Sequence, residues 1–399
     1  MKIEAITKFS DTVISVRTLC PFEKETITAY NLMAYMIKSK TEKYDSKESI
    51  SKELNKRYGM KVSAGLTTYG NQISYQLRFQ FIRHDWIKNT EYSKQVLEAM
   101  DQFLFHPDFT EETLAEAKYL LRNRLISLLD DPGYLSMTTA LKNANEKHKV
   151  SIQVYGYLEE LDKVTLKDIE DVYSIYQSKD KHIYVCGVLD DSIQNYLESI
   201  DSKNPIKKDY ALLTSEEVKT KTIQKDIEQT YVSLIYSTNS EVDGKEYYNA
   251  MVMNSILGQA PMNLLFENVR EKHSLCYSIS SNMIRFDGVL CIHLGTKKHQ
   301  VKQALSLIEE QINKLIQMDY PDINLDIAKK DLTDAMIGNL DHSTFYIESA
   351  FLDEMLMRTG TLEDRILMVS DVTKEDVSTA AKRLKLASVC IVEECNDAL

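Results

Sequence analysis

The stretch Val164–Ile169, VTLKDI, recurs as VTKEDV at Val372–Val377, with Val, Thr and Asp in the same places. One such match arises easily by chance, but three more keep nearly the same spacing. LEEL from Leu158 answers to LEDR from Leu362, and Cys186 in HIYVCGV answers to Cys390 in ASVCIVE. Nearer the start of each half, AYNLMAYM from Ala29 is matched by YYNAMVMN from Tyr247. A duplicated domain with modest insertions accounts for all four. The length agrees, since 399 residues exceed what one core usually serves and suit two domains of about 200 residues each.

The seam between the repeats is expected in Ser202–Asp226, SKNPIKKDYALLTSEEVKTKTIQKD, which is rich in Lys, Ser, Thr and Glu, contains Pro205 and lacks sustained apolar periodicity. The expected division is therefore 1–201, a linker at 202–226, and 227–399. Within the first half, QISYQLRFQFI from Gln72 alternates apolar and polar residues as a strand with one buried face does, and TVISVRT and HIYVCGV also read as strands. Thr110 is a candidate N-cap for a helix that repeats Leu114, Ala117, Leu121, Leu125 and Leu128 at spacings of three and four until Asp130-Asp131-Pro132. The second half repeats the plan, with TYVSLIYST and VLCIHLG as strands and VKQALSLIEEQINKLIQM as an amphipathic helix. Each half is expected to be an α+β unit, a mainly antiparallel sheet covered by helices.

Composition narrows the function. Hydrophobic residues at 43% and charged residues at 27% are ordinary for a globular chain, and 12 Gly with 6 Pro argue against long low-complexity regions. A net charge of -12 disfavours a nucleic-acid partner, because phosphate binding relies on clustered Lys and Arg. There is no glycine loop to cradle a phosphate. MKIEAITKFSDTVISV lacks a cationic segment followed by an apolar core, and no run of about 18 apolar residues follows, so the expected location is cytoplasmic. The six cysteines are scattered without a C-x-x-C pair and read as reduced thiols. Among the eight histidines none pairs at i, i+4, and His293 with His299 makes at best a weak metal clip beside the reading of ordinary surface histidines. The adjacent carboxylates Asp130-Asp131, Glu159-Glu160 and Glu309-Glu310 read as solvated or as helix ends, since neighbouring residues do not point together.

The stretch Leu264–Ser281, LLFENVREKHSLCYSISS, sets Arg270 and Tyr277 seven residues apart where a helix gives way to a strand. Alone, that spacing says little. With Gly258 upstream, the ordered set Leu264, Leu265, Phe266, Val269, Arg270-Glu271-Lys272, Leu275 and Tyr277-Ser278 resembles the late segment of the pitrilysin/insulinase/mitochondrial processing peptidase family (M16-like) of zinc peptidases. The resemblance extends over essentially the whole chain. It implies an insulinase/LuxS-metalloenzyme-like fold of two homologous domains forming half of a clam, in which the Arg and the Tyr hold a substrate carbonyl opposite the metal.

In that family the zinc sits on an early helix bearing His-x-x-Glu-His, where two imidazoles one turn apart share a face and the Glu activates water. The family's early pattern, laid on this chain, puts Asn31, Ala34 and Tyr35 at the three motif positions. The family's further Glu ligand falls near Arg124, counted back from Pro132. None of these can take the family's role, and an arginine does not ligate a cation. The chain is thus similar to the family's non-catalytic bacterial members. The resemblance implies no cofactor of its own, with zinc on a His-x-x-Glu-His sister subunit that Arg270 and Tyr277 face in a heterodimer, a peptide or protein substrate, and a possible homodimer when isolated. Two alternatives stay open: a purely structural scaffold in which the Arg/Tyr pair has no catalytic role, and an independent peptidase with relocated ligands.

Overall fold

The computed structural model describes residues 1–395. Contacts group the chain into two units, the first comprising residues 1–126, 153–209 and 339–359, the second residues 127–152, 210–338 and 360 onward. The first holds a sheet of β1 (Lys2–Glu4), β2 (Asp11–Pro21), β3 (Lys61–Tyr69), β4 (Gln72–Ile82) and β5 (Lys181–Cys186), in the order β1-β5-β2-β4-β3. The second holds β6 (Lys219–Lys225), β7 (Thr230–Ser237), β8 (Cys276–Ile284), β9 (Val289–Thr296) and β10 (Lys385–Glu394), in the order β6-β10-β7-β9-β8.

Replacing each strand of the first sheet by the one five places later gives the second order, so the repeat read from short matches extends to topology. In both sheets the outer pair, β1 with β5 and β6 with β10, is parallel, and the other pairings are antiparallel. The architecture is α+β, as expected. Within the segment expected as linker, residues 219–225 form β6, paired along one side with β10. Its KTKTIQK side chains are mostly exposed, so an edge strand with no apolar face leaves no periodic signal.

The VT-x-x-D repeat has a local physical cause. Thr165 accepts from the Asp168 N–H while the Asp168 carboxylate accepts from the Thr165 N–H, and Thr373 with Asp376 does the same. Each is a capping box at the start of a helix, Leu166–Ser178 and Lys374–Lys382, and such a cap is worth about 1 kcal/mol. Val372, before the cap, and Val377, one turn in, are both buried in one core cluster, the staple arrangement that fixes the entry angle of the chain. A third box, Thr361 with Asp364, opens Leu362–Ser370.

Strand β2 is buried along both faces, which requires helices on each side. On one face Cys20 meets Tyr30 of the Lys24–Met36 helix. On the other, Arg17 meets Glu348 and Phe351 of the Ser343–Met355 helix, which comes from late in the chain. The second sheet is covered reciprocally by an early segment, the Pro132–Ala144 helix. Its Ser136 hydroxyl bonds to Ser233 of β7, and its Ala140 carbonyl accepts from Ser388 of β10. That helix begins where it does because Pro132 ends the preceding Glu111–Asp130 helix and Asp131, extended before the proline, accepts from the N–H groups of Gly133 and Tyr134.

All six cysteines are free, and all but Cys395 are buried. Among the described residues no helix is long and apolar enough to cross a membrane.

Asp287, in the turn between β8 and β9, is 4% exposed, and its Oδ1 has no hydrogen-bond partner. His148 approaches to 3.8 Å but does not compensate it. The Nδ1 of His148 accepts the Val150 N–H and its Nε2 faces the Ala211 carbonyl, so the ring is neutral, and burial lowers its pKa further. Burial pushes the Asp287 carboxyl up from 3.8 to about 7. A raised acid stabilises fully below its unfolded pKa, and that contribution is lost as pH rises through the folded value. Asp287 is therefore expected to cost the fold about 2–3 kcal/mol more at pH 8 than at pH 5. Chemical denaturation of Asp287→Asn against the parent at both pH values should show the larger relative gain at pH 8, and an equal gain at both would contradict this.

Candidate functional site

Arg270 and Tyr277 lie at one margin of the second sheet. Strand β8 is its edge, and the segment leading into it is a π-helical turn, Phe266–Glu271, a rare winding that is frequent at functional sites. The turn is closed by Ser274 at φ 51°, with the Ser274 N–H bonded to the Arg270 carbonyl and the Leu275 N–H to that of Val269. Cys276 pairs with Thr296 and Ser278 with Gly295, so Tyr277 is the extra residue of a bulge, a device that re-aims a side chain. Tyr277 is 67% exposed.

The Arg270 side chain is also open to solvent, stacked on the Phe266 ring at 4.6 Å and 3.8 Å from the Glu271 carboxylate. No hydrogen bond joins Arg270 to Tyr277 among the described residues. Gly258 makes the close packing behind this segment possible. A Cβ there would sit 2.6 Å from Ser281 Oγ and 2.9 Å from Leu265 Cδ1, and Ser281 is itself held by Asn254.

In the first unit, Asn31, Ala34 and Tyr35 on the Lys24–Met36 helix line a cavity of about 290 Å³ together with Lys38, Arg124 and Tyr155. Residues 64–66 on β3 close one side. The three motif positions on one helix and the distant Arg124 thus border one space. Strand β3 is the edge of the first sheet, as β8 is of the second, so the two constellations sit at corresponding margins of the two repeats.

The cavity does not suit zinc. Its lining has no His, Cys, Asp or Glu, and no group of three or more such residues could hold a metal ion among the described residues. Asn31 donates both amide hydrogens locally, to the carbonyls of Ile27 and Val154 at 2.9 Å each, and so ties the helix to the 154 loop. Arg124 stacks on the Tyr155 ring at 4.1 Å. Burial works against its charge, but the nearby hydroxyls of Tyr35 and Tyr155 outweigh that and its pKa is raised. Lys38 is half-buried 6.0 Å from the Tyr35 ring, its pKa lowered by burial and by the charge of Lys47. Two cations therefore stand where a dication would have to enter.

Sequence reasoning did not find Lys38 or Tyr155. Lys38 follows one turn after Ala34, which is a usable signal, whereas nothing in the sequence near Tyr155 points to it. His293 is half-buried with its Nδ1 3.0 Å from the Ser233 hydroxyl, so that nitrogen is engaged within the sheet rather than free for a clip with His299. Asp131 is the cap already described.

Residues 163–332 match the model of the "Peptidase M16 inactive domain". Over 394 residues the chain is 23% identical to the "probable inactive metalloprotease YmfF" of Bacillus subtilis (strain 168), covering 95% of this chain and 92% of that one. These matches make the chain similar to the M16-like peptidases. It is similar to that family's inactive members, and the M16-like fold extends along its full length. A conserved protein from Enterococcus faecalis V583 superposes with a TM-score of 0.91 at 21% identity, covering 100% of this chain and 96% of that one. A peptidase M16 inactive domain from Pseudomonas fluorescens gives 0.82 at 15% identity, covering 98% and 95%.

Proposed function

We propose that this M16-like chain is the non-catalytic subunit of a two-subunit zinc peptidase of the cytoplasm. Residues 1–201 and 227–399, joined through 202–226, act in this reading as two homologous insulinase-like domains. The chain holds an extended peptide along a sheet edge and presents Arg270 and Tyr277 to a site on a sister subunit, where zinc is held by His-x-x-Glu-His. One contrast carries the reading. The chain keeps an exposed Arg and Tyr at one sheet margin, while at the corresponding margin of the other repeat the metal-motif positions are Asn31, Ala34 and Tyr35.

The chemistry follows from charge. As an amide bond is attacked, negative charge develops on its carbonyl oxygen, and a guanidinium with a phenol donor stabilises that oxygen. Neither residue generates a nucleophile, so the isolated chain is expected to be inert. The test is to mix the chain with a co-encoded sister bearing His-x-x-Glu-His and follow peptide cleavage. Turnover well above that of the sister alone supports the shared site, and no gain on mixing counts against it.

The second reading is a scaffold without any role in catalysis. The stacking of Arg270 on Phe266 and its pairing with Glu271 favour it, because that engagement needs no substrate. Absence of a zinc-motif homologue in the neighbouring reading frames would move the balance that way.

A further inference from the structure

The cavity lined by Asn31, Ala34 and Tyr35 has a positive wall. Arg124 and Lys38 both border it, neither has a carboxylate within ion-pairing distance among the described residues, and no acid lines it. The phenols of Tyr35 and Tyr155 stand beside the guanidinium. Unpaired cations on the wall of a concave site, with hydroxyl donors next to them, are complementary to an anion. The adjoining wall is formed by residues 64–66, on the edge strand β3, whose outer side has no strand partner among the described residues. An extended peptide added to that edge would run past the cavity mouth.

We propose that this cavity is a carboxylate subsite: Arg124 and Lys38 hold a carboxylate of a peptide laid along β3. The inference rests on the peptide-holding reading above and adds a preference to it. The carboxylate comes either from the peptide's C-terminus or from an acidic side chain. Arg124 supplies the planar fork that matches it, and Lys38 adds a second charge from the helix side.

Fluorescence anisotropy on the full chain tests this with a labelled Ala-Val-Thr-Val-Ala-Val peptide in three forms: free acid, C-terminal amide, and the amide with Glu at the third position. The free acid, the Glu-bearing amide, or both should bind at least tenfold more tightly than the plain amide, and which form gains identifies the source of the carboxylate. Arg124→Gln should erase that preference. Arg124 is solvent-exposed, so the substitution takes nothing from the core, and circular dichroism checks that the variant folds. Equal affinity for all three forms would overturn the carboxylate subsite and leave edge pairing intact. A preference that survives in Arg124→Gln would overturn its assignment to this cavity. Failure of every form to bind would overturn the subsite together with peptide holding by the isolated chain, whereas gain of turnover on mixing with the sister tests the shared site separately.

Discussion

Glu348→Ala is expected to destabilise the first unit by about 3–5 kcal/mol, because it strands a buried charge. Arg17 projects from β2 and is 1% exposed. Its Nη2 lies 2.5 Å from Glu348 Oε2, its Nη1 3.3 Å from the Tyr69 hydroxyl, its Nε 3.2 Å from Ser15 Oγ, and its guanidinium 4.3 Å from the centre of the Phe351 ring. Tyr69 in turn donates to the other Glu348 oxygen at 2.5 Å. Burial opposes the charge of Arg17, and Glu348 more than offsets it, so the pKa is raised and the arginine stays charged. Removing Glu348 takes away the carboxylate on that guanidinium and leaves it, among the described residues, only the neutral hydroxyls of Ser15 and Tyr69.

The double variant Arg17→Met/Glu348→Leu should recover most of the loss, since paired replacement of a buried ion pair by apolar groups is often neutral. Urea unfolding monitored by circular dichroism measures both. A loss below about 1 kcal/mol for Glu348→Ala, the range of a surface ion pair, would show that the Ser343–Met355 helix does not depend on this contact.

Arg270→Ala is expected to lower kcat of the chain mixed with its zinc-bearing sister by about 100- to 1,000-fold, the usual cost of removing one donor from a developing oxyanion. The same variant should leave KM and stability nearly unchanged. Its side chain is exposed, stacks on one ring and makes one loose ion pair, so nothing in the core depends on it. Tyr277→Phe removes a single neutral hydrogen-bond donor and should cost less than Arg270→Ala. Unchanged turnover in both variants would leave the scaffold reading.

The sequence carried the repeat because it is written in local chemistry. A Thr-x-x-Asp cap and an alternating strand such as Gln72–Ile82 declare themselves within a few residues, and that strand occupies the same bounds in the structure. The exchanged helices were not legible. Pro132–Ala144 and Ser343–Met355 show which residues are apolar, but amphipathicity states that a face is buried and not which sheet buries it. Short edge strands escaped for a related reason, β1 having three residues and β6 no apolar face.

At the candidate site, Asn31, Ala34, Tyr35 and Arg124 were reached through the resemblance, while Tyr155 joins them only through folding. The positive lining of the cavity was likewise invisible, because Lys38 and Arg124 stand 86 positions apart along a chain whose net charge is -12.

The central claim is that this chain keeps the carbonyl-facing residues of a zinc peptidase without the means to hold the metal. It is tested most directly by measuring zinc bound per chain and peptide hydrolysis on the same purified sample of the chain alone. The account predicts far less than one zinc per chain and no hydrolysis, with activity arising only when the zinc-bearing sister is added. One tightly bound zinc per chain, with peptidase activity that a chelator removes and zinc restores, would contradict it.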